Sequence, residues 1–278
     1  MDFRFKREGI QLPAALSIII PFGMIVIGEA LLFNGNLEGS AAAHALNILL
    51  SILIPILLKQ NPLIWQAFSL VSLMRVLNLA MPTFHELTLL WMPLIYGPIL
   101  LVGFLMVRDE TKRPLEYVYD LARFFRISPS ATGWKLYYLP FALIVAVVAA
   151  NIEFIVLSQT IMDLRLIPEL SPEYLALIMM VMVFFVGLGE EVVFRYILQV
   201  RMQAMVGIGA SLIITSLTFA FMHSGYTSLI YMAYVFGISM ILGLLYDRTK
   251  SLALVALIHG MLNFFLFSFL PFGQLLLF

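Results

Sequence analysis

The sequence predicts an all-α polytopic membrane protein, with eight or nine transmembrane helices around an intramembrane polar cavity. Three observations carry this. Of the 278 residues, 62% are hydrophobic and only 12% are charged, whereas soluble domains average about 25% charged. The mean hydropathy is +1.02. The apolar residues also come in runs matching the roughly 20 residues a spanning helix needs. Ionisable groups interrupt some of these runs. Hydrocarbon does not solvate them, so they must face one another or trapped water.

The first run, 12–33, follows Arg4, Lys6 and Arg7, as the core of a signal peptide would. It is too long for that role, since such cores span about 7–15 residues, and no small-residue cleavage site is evident. A retained first span is expected. The next runs are 41–58, 62–80 and 86–107. The second is short, and the fourth contains Pro93 and Pro98. Proline is tolerated in such helices when neighbours satisfy the freed carbonyl. These two segments decide between eight and nine spans.

The connection 108–135 places Leu115, Val118, Ala122 and Phe125 on one helical face and Glu116, Asp120 and Arg123 on another. This predicts an amphipathic helix lying in the interface; the alternative is a solvated loop with a helical turn. Five further spans follow, at 136–158, 173–195, 207–224, 227–246 and 251–270. The chain thus divides into N-terminal spans plus the cytoplasmic connection, 1–135, and a second part, 136–278, that holds the polar motifs.

Loop charge gives an independent check. With a cytoplasmic N-terminus, thirteen Lys and Arg residues fall in inside loops and only Arg165 falls outside. Arg75 and Arg195 lie within spans. The expected setting is a multi-pass protein in the plasma membrane of a prokaryote, with membrane lipid around it. Net charge is zero, from 16 basic and 16 acidic residues, with none of the basic clustering a nucleic-acid binder needs. There is no cysteine. That excludes disulfides, thiolate metal sites, a cysteine nucleophile and lipidation through cysteine.

Three short motifs carry the chemistry. Glu190-Glu191-Val192-Val193-Phe194-Arg195 places Glu191 and Arg195 four apart, on one helical face where they can pair. Glu190 points about 100° away. The expectation is a supporting pair, Glu191 and Arg195, and a reactive carboxylate, Glu190. A purely structural ion pair is the alternative. In Phe219-Ala220-Phe221-Met222-His223 the terminal residues share a face. A lone histidine on an apolar helix usually packs, but the neighbouring motifs favour a catalytic role for His223. In His259-Gly260-Met261-Leu262-Asn263 the outer pair again share a face. They can hold the oxyanion formed when water attacks an amide, or they can be hydrogen-bonded glue between helices.

Glu190, His223 and His259 could instead bind zinc with water in the fourth position. No HExxH occurs, since His85-Glu86 lacks the second histidine, and no Gly-x-Ser-x-Gly elbow is present. Ser239 and Gly243 fit the spacing that lets helix backbones approach closely. Glu29, His44, Asn47, Arg75, Asn78, Asn151 and Glu153 are scattered. They are expected to be structural or to line an access path.

The ordered trio EExxxR, FxxxH and HxxxN resembles the CPBP family (CAAX-processing and bacteriocin-processing, Abi), which are intramembrane glutamic endopeptidases. The stretch from Phe236 to Asn263, with Tyr246 to Ser251 leading into the third motif, is also similar. The resemblance covers about 172–268 and does not reach the first half. It implies that Glu190 and His223 activate a water, that His259 and Asn263 form the oxyanion hole, and that Glu191 and Arg195 orient the site. It implies no cofactor, with zinc as the second possibility, and a protein or peptide substrate, prenylated for some members. A transporter and a non-catalytic scaffold or immunity protein are the rival readings. One tension accompanies the spans above: they put His259 near the inner end of its helix and His223 near the outer end of another.

Overall fold

In the computed structural model, residues 15–82, 85–111, 138–161 and 163–277 are described. Both the interfacial helix expected within 108–135 and the cations of the N-terminal segment fall largely outside them. The described residues are helical, without strands. Among the described residues, seven helices are long and apolar enough to cross a membrane, so this is a multi-pass integral membrane protein. Large apolar side chains point outward along them: Ile19 is 59% exposed, Ile56 67% and Ile144 64%. Such surfaces suit lipid rather than water.

The first half forms α1 (Leu16–Phe33), α2 (Leu37–Leu57), α3 (Leu63–Asn78) and α4 (His85–Thr111). α1, α2 and α3 pack against one another. The Asn36 side chain accepts from Gly39 N at 2.8 Å, which satisfies a free amide at the start of α2. α4 runs through Pro93 and Pro98, as expected for prolines in a packed span. α3, with 16 residues, is the shortest helix of this half.

α5 (Tyr138–Leu157) opens the second half. A continuous helical run then extends from Pro172 to Phe221, 50 residues. It starts cleanly because Ser171 caps it and Pro172 fills its first turn. It breaks at Gly207, whose φ of 78° and ψ of 173° leave the helical region. Such angles are open mainly to glycine. Residues 172–206 are named α6 and 208–221 α7. The loop expected at 196–206 is therefore helix. Its polar residues have partners inside the protein: Gln199 donates to the Gly243 carbonyl at 3.0 Å, and Arg201 to the Leu63 carbonyl at 2.7 Å.

α8 (Leu229–Thr249) and α9 (Leu252–Phe267) complete the bundle. Ser228 and Ser251 cap their first turns. α9 packs against both α5 and α6. With α3 and the break at Gly207 counted, the helices agree with eight or nine spans.

The tension over the two histidines resolves through helix length. α7 is short, about 21 Å at about 1.5 Å per residue, against a hydrocarbon core of about 30 Å. His223 follows its C-terminal end, so it need not reach the far surface. His259 is central in α9, seven residues past its first residue, Leu252.

Candidate active site

Glu190 and Glu191 lie in a single α-turn, Leu188–Glu191, flanked by π-helical segments Met182–Gly187 and Val192–Gln199. π-segments widen the turn and often mark functional sites. The two carboxylates meet different partners. Glu191 is fully buried. Its Oε2 accepts from Arg195 Nε at 2.9 Å, and its Oε1 accepts from His259 Nδ1 at 2.8 Å. Arg195 Nη1 donates to Ser239 Oγ at 3.0 Å, so α8 helps to hold the pair. Glu190 instead accepts from the Tyr96 hydroxyl at 2.5 Å, and its Oε2 lies 3.6 Å from His259 Nε2.

The histidines are fixed through their Nδ1 atoms. Carbonyl and carboxylate oxygens only accept, so Nδ1 must donate in each case. In His223 it donates to the Phe219 carbonyl at 2.9 Å. In His259 it donates to Glu191, which leaves Nε2 on the Glu190 side. Phe219 joins the three motifs. Its ring lies 4.9 Å from that of His223, 5.7 Å from that of His259 and 5.3 Å from the Arg195 guanidinium.

Two glycines let these helices meet. A Cβ on Gly187 would fall 2.7 Å from Gly260 N and 2.8 Å from Gly260 Cα. The backbone of α6 thus touches α9 one residue after His259.

Glu190, His223, His259 and Asn263 all line one cavity of about 440 Å³. That is within the size range of small-molecule and cofactor pockets, about 300–1,000 Å³. Arg75, Tyr96, Glu153 and Tyr231 line it too. Glu191 and Arg195 sit behind it, in contact with His259 and Phe219 of its lining. Among the described residues, no group of three His, Asp or Glu side chains is arranged to hold a metal ion.

The polar residues that are scattered in sequence gather in space. Arg75 holds Glu29 with bonds of 2.7 Å and 2.9 Å and also donates to the Met222 carbonyl. Ser224 Oγ donates to Glu29 Oε2 at 2.6 Å. The turn that carries His223 is therefore held on both sides by α1 and α3. Glu153 accepts from the Tyr231 hydroxyl at 2.7 Å. Sequence reasoning missed Tyr96 altogether, since a tyrosine between two prolines of an apolar span forms no pattern.

Fold and site define a class: a helical membrane protein whose spans enclose a cavity of carboxylate, imidazole and amide groups. Residues 172–265 match the family model of the Rce1-like proteins, type II CAAX prenyl endopeptidase Rce1-like. The match is consistent with the CPBP family and supports a membrane protease of the CAAX type. No curated protein and no solved structure matches the chain.

Proposed function

We propose that the protein is an intramembrane endopeptidase that hydrolyses a peptide bond with a glutamate-activated water. The observation that carries this is the convergence of all three motifs on one cavity within a domain of this family. The family's description makes prenylated C-terminal peptides the first substrates to try. The loop charges favour a cytoplasmic N-terminus.

Glu190 takes a proton from water held between it and His223. With Nδ1–H on the Phe219 carbonyl, neutral His223 offers a lone pair at Nε2 to orient that water. The hydroxide adds to the substrate carbonyl carbon. The oxygen that becomes negative is held by Asn263 Nδ2–H and by Nε2–H of doubly protonated His259. Glu190 then passes its proton to the leaving nitrogen, the C–N bond breaks, and an acid and an amine result. Glu191 and Arg195 keep the His259 ring in place.

The test is cleavage of a fluorogenic prenylated peptide by purified protein. Glu190→Gln keeps the shape and removes the base, so turnover should vanish while the melting temperature stays. Full activity in that variant would sink the mechanism. The same assay tests the metal. A glutamate base needs none, so chelator-treated, active protein should contain substoichiometric zinc. Activity lost with chelator and restored by zinc would replace this mechanism with a metallopeptidase one.

A further inference from the structure

Arg75 lies outside the matched residues 172–265 and outside all three motifs, yet it lines the cavity. A guanidinium carries five N–H donors. Nε and Nη2 use three of them, on the two oxygens of Glu29 and on the Met222 carbonyl. Among the described residues nothing accepts from Nη1, which leaves both N–H groups of that one nitrogen. The rest of the guanidinium is held rigidly. The charge of Glu29 is shared with Ser224 Oγ at 2.6 Å and faces His44 Nε2 at 3.3 Å, so it is not directed solely at Arg75. The carbonyl that Arg75 holds belongs to the residue before His223.

An arginine with a free N–H group on a cavity wall suits an oxyanion, because a hydrogen bond from a charged donor to a carboxylate is among the strong ones. Fixing the guanidinium beforehand lowers the cost of binding. We propose that Arg75 is a specificity-determining residue that anchors a carboxylate of the substrate beside His223. The proposal rests on the protease reading for the ligand being a peptide. Two sources offer this chemistry: the free C-terminus of the chain, which a C-terminal Cys-a-a-X sequence presents, or an acidic side chain near the cleaved bond.

Binding is measured separately from cleavage, on full-length Glu190→Gln protein. Three labelled prenylated peptides are compared: a free C-terminal acid, its C-terminal amide, and the amide with glutamate as the last residue. The free acid should bind at least about tenfold more tightly than the amide, as expected for a charge-assisted bond in a cavity. A glutamate-ended amide that matches the free acid assigns the carboxylate to a side chain. Adding Glu29→Gln and Arg75→Gln together, which leaves no unpaired charge, should erase the difference. If that variant does not fold, Arg75→Lys keeps the charge but loses the planar group that bonds Glu29 and the Met222 carbonyl while leaving Nη1 free, and should shrink the difference. Equal binding of acid and amide, no binding of any peptide, or a preference that survives every Arg75 change overturns the proposal. Wild-type protein that cleaves acid and amide equally well keeps the protease reading and removes Arg75. Binding preference without cleavage does the reverse.

Discussion

Glu190 and Glu191 are adjacent in the chain and approach opposite nitrogens of His259, but their other partners differ. One faces the cavity and a tyrosine; the other is sealed between an arginine and a histidine. Removing Arg195 would leave Glu191 as a buried charge without its arginine partner, and breaking such a pair costs roughly 3–5 kcal/mol by analogy with buried pairs elsewhere. Arg195→Ala should therefore lower the melting temperature as well as the activity, because His259 loses its fixed support. A variant that melts like wild type and still cleaves would deny this role. The pairing of Glu191 with Arg195 is legible in sequence because four residues make one helical turn. The bond from His259 to Glu191 is not, since 68 residues separate them. Tyr96 is harder still, being 94 residues from Glu190 and in a different span.

At the scale of helices, the contact between α6 and α9 sets the distance between carboxylates and imidazole. A Cβ on Gly260 would lie 2.5 Å from Val183 Cα and 2.8 Å from the Met182 carbonyl. Both are backbone atoms that cannot turn aside, so the helices must separate. Gly260→Ala should cost about 1–3 kcal/mol, the usual range for overpacking. It should also lower turnover sharply, since a misplacement of about 1 Å at a reacting centre can cost roughly 10²-fold. Thermal melts and cleavage rates of Gly260→Ala against Gly237→Ala, where an added Cβ meets nothing within 4 Å, make the comparison. Equal activity in the two would remove the contact from the argument. Apolar run length reveals most of these helices, but not the π-segments or the continuous helix across 196–206. Hydropathy reports whether a segment suits lipid. It does not report how backbone bonds shift inside the segment, nor that Gln199 and Arg201 find partners on α8 and at the start of α3.

Across the whole molecule, the motifs lie in the second half but the cavity does not belong to it alone. Tyr96 from α4 holds Glu190, while Arg75 from α3 and Glu29 from α1 hold the turn around His223. The sequence leaves this unread because single polar residues in separate spans carry no shared spacing; only packing brings them together. It follows that 136–278 should not work by itself. Without its partners Glu190 loses its one tyrosine bond. The Met222 carbonyl and Ser224 hydroxyl at the His223 turn are left unpaired, at about 1–3 kcal/mol for each buried group. The cavity also loses the wall supplied by α3 and α4. Purified 136–278 should show no peptide cleavage and a lower melting temperature than the full chain. Co-expression with 1–135 as a separate polypeptide should restore part of the activity, because the halves are joined by packing and polar bonds as well as by the chain. Restoration should fail when the first piece carries Tyr96→Phe together with Arg75→Gln. Full activity of 136–278 alone would mean that the first half only anchors the enzyme, and that its polar contacts to the site are dispensable.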